Sequence, residues 1–266
     1  AFAKYAADGV SDLIIDLRYN GGGYVETAEH LINLIAPSTA TGTMFKEYYN
    51  QTMRENKATI LSHQLLLDEN DKPQDQDKDG KSDTYADVDF SVARQTTIFS
   101  KKGNLTQVAN VVFLVSGGTA SASELVINSL KPFVNVKLVG KTTYGKPVGF
   151  FPIRLENKYD VYMSMFESKN SKDEGGYYAG FTPDKIDVNT NALYDDATHD
   201  FGDPLESYTK AALEILAPAM AVTSSNATMS IRGKKVAVAS SLGLLSTAKN
   251  KEQFTGMIET RHHLKN

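Results

Sequence analysis

Two stretches of the chain follow one plan: a short apolar run, a turn of small residues, then a run with helical spacing. The first is DLIIDL (Asp12 to Leu17), RYNGGG (Arg18 to Gly23) and YVETAEHLINLIA (Tyr24 to Ala36). The second is NVVFLV (Asn110 to Val115), SGGTA (Ser116 to Ala120) and SASELVINSLK (Ser121 to Lys131). An apolar run without alternation has no polar face, so as a strand it must be covered on both sides. The helices that follow can supply the cover. Val25, Ala28, Leu31, Ile32 and Ile35 share one face of the first helix, and Ala122, Leu125, Val126 and Ser129 one face of the second. VNVKLVG (Val134 to Gly140) reads as a third short strand. Strands alternating with helices predict an α/β core.

The rest of the chain is less regular. AFAKYAADG opens with Phe2, Tyr5 and Ala6 at helical spacing and stops at Asp8–Gly9. With neither a start methionine nor a signal peptide, the chain is expected to be a fragment of a longer precursor. Residues 37–107 are polar and irregular and read as an insertion or long excursion. KPVGFFPIRL (Lys146 to Leu155) and YDVYMSMF (Tyr159 to Phe166) read as two strands of a hairpin. DPLESYTKAALEIL (Asp203 to Leu216) reads as a helix with Pro204 at its first position. In the tail, KKVAVA (Lys234 to Ala239) is a candidate strand, and Leu244 to His263 a candidate helix.

Composition excludes several classes. The net charge of −4 gives no nucleic-acid footprint. No apolar run reaches the ~18 residues of a membrane span. There is no cysteine among the 266 residues, which removes disulfides, thiol nucleophiles and Cys-ligated metals.

The second turn suits a nucleophile. A serine at the tip of a strand-to-helix turn is lifted out of the sheet, and the amides of the helix start favour a nearby oxyanion. The competing reading of Ser121 is an N-cap, with Glu124 three residues on completing a capping box. A serine nucleophile also needs a base. The histidines at positions 30, 63, 199, 262 and 263 form no triad-like motif. Lys146, in the Gly-flanked turn GKTTYGKPVGF (Gly140 to Phe150), is the other candidate, provided burial lowers its pKa. Its competing reading is a solvated turn lysine.

DLRYNGGG, TASASELVINSL and LVGKTTYGKPVGF occur in this order, followed by GFTPDKIDV (Gly180 to Val188). Together they resemble the signature blocks of the C-terminal processing, or tail-specific, serine peptidases, which are related to the tricorn core. The resemblance covers roughly residues 1–217. It implies a crotonase-like, ClpP-related α/β core of mixed sheet and helices, and a Ser-Lys dyad with Ser121 as nucleophile and Lys146 as general base. The family's serine-to-lysine interval is matched. An oxyanion hole is implied from the amides of Ala122 and Gly22, with Gly21 and Gly23 as alternatives to Gly22. Ser123 and Glu124 take structural readings, with a supporting role at the site open to Glu124. The implied substrate is a protein or peptide, cleaved in unfolded or C-terminal segments through an acyl-enzyme. No cofactor is expected for catalysis. The implied location is periplasmic or elsewhere in a bacterial cell envelope, and a homo-oligomer is left open. On this reading residues 1–217 form the catalytic core, without its first strand and any PDZ domain, and residues 218–266 are an extension of unassigned role.

The chain departs from the pattern at Phe150, where many relatives carry a glutamine that orients the lysine. Orientation of Lys146 then falls to another residue or to packing. The departure favours a rival reading, a catalytically inactive peptide- or ligand-binding module on the same scaffold. A further rival is an esterase that uses the same serine. In the polar stretch, DQDKDGKSD places Asp75, Asp77, Asp79 and Asp83 at positions 1, 3, 5 and 9 of an EF-hand-like loop, with Gly80 at 6. Position 12 is Ala86 rather than glutamate, so the expectation is a structural calcium loop or a solvated acidic loop. The pairs Tyr48–Tyr49 and Tyr177–Tyr178 are candidates for lining a groove or for ordinary surface tyrosines.

Overall fold

The computed structural model describes residues 1–68, 70, 72–185, 195–218, 230–231, 234–235 and 256–258. The chain is a mixed α/β protein. Helix α1 (Phe2–Ala7) leads into β1 (Asp12–Asp16), then β2 (Gly22–Tyr24), α2 (Val25–Ile35), β3 (Thr43–Tyr49) and α3 (Gln51–Arg54). After two short 3-10 turns come β4 (Thr96–Ile98), β5 (Asn110–Val115), α4 (Ala122–Leu130) and β6 (Asn135–Gly140). The chain continues through β7 (Val148–Gly149), β8 (Pro152–Leu155), β9 (Tyr159–Tyr162), β10 (Phe166–Asn170) and α5 (Ser207–Leu216). Three short strands follow: β11 (Ser230–Ile231), β12 (Lys234–Lys235) and β13 (Gly256–Ile258).

The three apolar runs form one parallel sheet in the order β1-β5-β6. Both faces of β5 are covered, as its uninterrupted apolar sequence requires. Val111, Phe113 and Val115 join the main core with α2 and α4. Val112 and Leu114 join a second cluster with Tyr208, Ala211 and Ala212 of α5. On α2, Val25, Ala28, Ile32 and Ile35 are buried, and Leu31 packs at the core's edge. All nine residues of α4 are buried, so this helix has no solvent face at all.

A second, antiparallel sheet runs β4-β3-β10-β7. Here the structure corrects several expectations. The stretch 37–107 contains β3, whose Phe45, Glu47 and Tyr49 alternate inward, and is therefore part of the framework. Strand β10 has the sequence FESKN, and two of its inward positions are Ser168 and Asn170. The expected hairpin is present as β8 and β9. Helix α5 starts at Ser207, not near Pro204: the Glu206 carboxylate accepts the Thr209 amide at 2.9 Å and caps it. In the tail, Gly256–Ile258 is a strand where a helix was expected, paired in parallel with β2. Of KKVAVA, Lys234–Lys235 is a strand paired with Ser230–Ile231, and its remainder lies outside the described residues, as does the rest of the predicted tail helix.

Arg18 pins α5 to the end of β1. It is 2% exposed, and its guanidinium reaches Asp16 at 2.7 Å, the buried Glu206 at 2.9 Å and Asp195 at 3.1 Å. The guanidinium carbon also lies 4.4 Å from the centre of the Tyr208 ring. Removing one partner of such a cluster leaves a buried charge uncompensated. Arg18→Ala is expected to destabilise the protein by ~3–5 kcal/mol, read from the denaturant midpoint.

Candidate active site

Ser121 sits where β5 turns into α4. Its backbone has φ +60° and ψ −113°, a conformation that costs a non-glycine residue ~1–3 kcal/mol. The surrounding turn holds it there. Thr119 Oγ1 donates to Leu17 O at 2.7 Å and accepts the Ser116 amide at 3.0 Å. Ser116 Oγ donates to Arg18 O. The end of β1 and the turn after β5 are thus tied side chain to backbone.

Ser121 is fully buried. It and Glu124 are disposed as a capping box, but only the carboxylate half has ordinary geometry: the Ser121 amide donates to Glu124 Oε2 at 2.9 Å. Among the described residues the Ser121 Oγ has no hydrogen-bond partner of ordinary geometry. A buried hydroxyl held on a strained backbone without a hydrogen bond of ordinary geometry is a candidate for chemistry as well as for capping.

Glu124 does more than cap. Its Oε2 also accepts the Lys146 amide at 2.8 Å, and its Oε1 accepts Thr143 Oγ1 at 2.5 Å and the Gly145 amide at 2.8 Å. One fully buried carboxylate therefore fixes the serine turn to the lysine turn. Phe181, at the start of the block that begins at Gly180, braces the lysine turn through its amide to Thr143 Oγ1 at 2.8 Å. At Gly145, with φ +89°, a Cβ would lie 2.4 Å from Tyr178 O, so only glycine fits.

The Lys146 ammonium lies 4.9 Å from the centre of the Phe150 ring. Burial lowers its pKa from the ordinary lysine value. Phe150, which stands where the resemblance led to a glutamine, gives the amine an aromatic face instead. The Gly22 amide donates to Asn20 Oδ1 at 3.0 Å, so it can serve an oxyanion only when Asn20 releases it. Ser123 Oγ donates to Asn20 as well, to Oδ1 at 2.9 Å and to O at 3.1 Å. Asn20 thus organises the glycine turn, and sequence reading missed it. The signal was present as an asparagine directly before three glycines.

Other candidates lie apart from this cluster. His30 and His63 are exposed, and His199 pairs with Asp196 at 2.7 Å. His262 and His263 lie outside the described residues. Tyr49 and Tyr177 are core residues, whereas Tyr178 is exposed. Of the acidic loop, Asp75, Asp77 and Asp83 bring carboxylate oxygens within 4.8 Å of one another, while Asp79 falls outside that group. Local amides already bond these carboxylates: Gly80 to Asp75 at 3.1 Å, Asp79 to Asp77 at 3.1 Å and Gln76 to Asp83 at 2.5 Å.

A serine on a strained strand-to-helix turn, tied by one buried carboxylate to a second turn that carries a lysine, is an arrangement that can serve a nucleophile and a base. The profile of Peptidase family S41 matches residues 1–186, and the chain belongs to that family. A Bacteroides fragilis structure assigned to the S41 proteases is similar at 22% identity and TM-score 0.56, over 81% of this chain and 47% of its own. The photosystem II D1 C-terminal processing protease matches at 20% identity and TM-score 0.44, over 69% of this chain and 36% of its own. A Parabacteroides merdae structure assigned to the peptidases matches at 15% identity and TM-score 0.45, over 77% and 52%. The chain spans about half the length of these structures, or less. No curated protein matches it. Among the described residues, no helix is long and apolar enough to cross a membrane.

Proposed function

We propose that this chain is the catalytic core of a serine endopeptidase that cleaves unfolded or C-terminal segments of proteins, with Ser121 as nucleophile and Lys146 as general base on a crotonase-like scaffold. The observation that carries the reading is the Glu124 carboxylate, which holds the Ser121 and Lys146 backbones at 2.9 and 2.8 Å. A lowered amine pKa supports the role of Lys146, because only the neutral amine accepts a proton. In the mechanism this implies, Lys146 takes the Ser121 proton as Oγ attacks the peptide carbonyl. The Ala122 amide, first of α4 and without an intrahelical acceptor, faces the developing oxyanion together with the glycine turn. The ammonium then protonates the leaving amine, and the neutral amine later activates the water that cleaves the acyl-enzyme. An extracytoplasmic location belongs to the same proposal.

The test is a pH profile of casein cleavage. The active form is the deprotonated base, so the rate rises with pH through the Lys146 pKa and levels off above it. Burial places that rise below the ordinary lysine value. Lys146→Arg, which cannot deprotonate at these pH values, is expected to lose ~10²–10⁴-fold in kcat. A rise near pH 6.5 that survives Lys146→Ala would point to histidine and end the lysine assignment.

A further inference from the structure

A peptidase nucleophile with no exposed surface cannot meet a peptide until something moves, and Ser121 is fully buried. Strand β13 lies against the glycine turn next to it. Gly256, Met257 and Ile258 pair with Gly22, Gly23 and Tyr24 of β2. On the other side of the strand, the Phe150 amide donates to Met257 O at 2.9 Å, and Ile258 bridges to Phe150. The segment is thus a middle strand between the glycine turn and the chain just after Lys146. A Cβ built on Gly22 would lie 2.5 Å from Gly256 O and 3.0 Å from the Ser121 Cβ. The Gly256 carbonyl and the nucleophile therefore flank the same bare glycine. The Met257 side chain is fully buried in the main core.

An extended backbone hydrogen-bonded on both sides, with a carbonyl beside the nucleophile, is the arrangement of a peptide bound by strand addition. We propose that the slot between β2 and the Phe150 segment is the site for an extended peptide substrate, and that Gly256–Ile258 fills it as an intramolecular competitor. The slot takes a small residue beside Gly22 and an unbranched apolar residue at the Met257 position. This inference rests on the peptidase reading. A ladder of three residues opens more readily than the core sheet, so a peptide in trans displaces the strand.

The chain has no cysteine, so Tyr24→Cys with Ile258→Cys creates a single cross-linkable pair. Paired strands lie about 4.8 Å apart, within disulfide range. In a Ser121→Ala background, the probe is a fluorescein-labelled peptide of sequence Phe-Thr-Gly-Met-Ile-Glu-Thr, read by anisotropy. The reduced protein is expected to bind it at least ~10-fold more tightly than the oxidised one. Equal binding by both forms, or no binding by the reduced form, overturns the inference. Should the pair fail to cross-link, Met257→Ala in the full chain decides. Loosening the strand is expected to raise peptide affinity at least ~3-fold, and unchanged or weaker binding overturns the slot. Casein turnover by the reduced pair with Ser121 intact tests the peptidase reading separately. Turnover with redox-insensitive binding keeps the peptidase and removes the slot. Redox-gated binding without turnover does the reverse.

Discussion

Ser121→Ala is expected to abolish casein cleavage and labelling by a fluorophosphonate probe, a loss of at least ~10³-fold, with the fold retained. The Oγ has no hydrogen-bond partner of ordinary geometry among the described residues, so its removal breaks no bond of that kind. Thermal unfolding of the alanine variant should stay close to that of the parent. Ser121→Gly is the informative companion. Glycine adopts φ +60° without strain, so this variant should be equally inactive yet more stable, by roughly 1 kcal/mol. Retained turnover in either variant would remove Ser121 from the chemistry.

Glu124→Ala should be the most destructive single change to the site. It removes the acceptor for four buried or part-buried donors: the Ser121, Gly145 and Lys146 amides and the Thr143 hydroxyl. Each orphaned buried donor costs ~1–3 kcal/mol, and a domain holds only ~5–15 kcal/mol in all. The alanine variant is therefore expected to be unfolded or close to it. Glu124→Gln keeps the shape but turns an NH2 toward donors that need an acceptor. It should fold with a lowered Tm and lose ~10²-fold in kcat, because a misplaced site costs about that much, with KM little changed. A glutamine variant with the parent's kcat would show that the carboxylate braces the fold without positioning the site.

What was legible in the sequence follows from where polarity sits. Strands β1, β5 and β6 were readable because each carries a short apolar run, and β5, covered on both faces, is apolar from Val111 to Val115. Strand β10 was not, because Ser168 and Asn170 face inward and satisfy themselves on Pro147 O and on Asn128 and Glu174. Its burial alternates as a strand should, but in residue types that a hydropathy reading scores as loop. Strand β3 was hidden in part by the buried Glu47. At the site, Glu124 could be read as a cap from local spacing. Its bonds to Thr143, Gly145 and Lys146 depend on the fold bringing together two turns that are distant in sequence, and no local pattern encodes that. Phe150 was visible as a departure, but its place under the Lys146 amine was not. The pairing of Gly256 with Gly22 spans most of the chain and leaves no periodic trace in either segment.

Helix α4 has no face toward water. It carries the serine at its amino end and the bridging carboxylate in its first turn, and the rest of it is core. Most proteins separate these burdens, so that selection can tune a loop for activity while the interior drifts under packing constraints alone. On the proposed reading of Ser121, one helix here answers to both. A substitution that tightens its packing also shifts the serine, and one that re-aims the serine is felt in the interior. Directed evolution of this scaffold would have to seek thermal robustness elsewhere, on the outward positions of α2 or in the loops, and leave these nine residues alone.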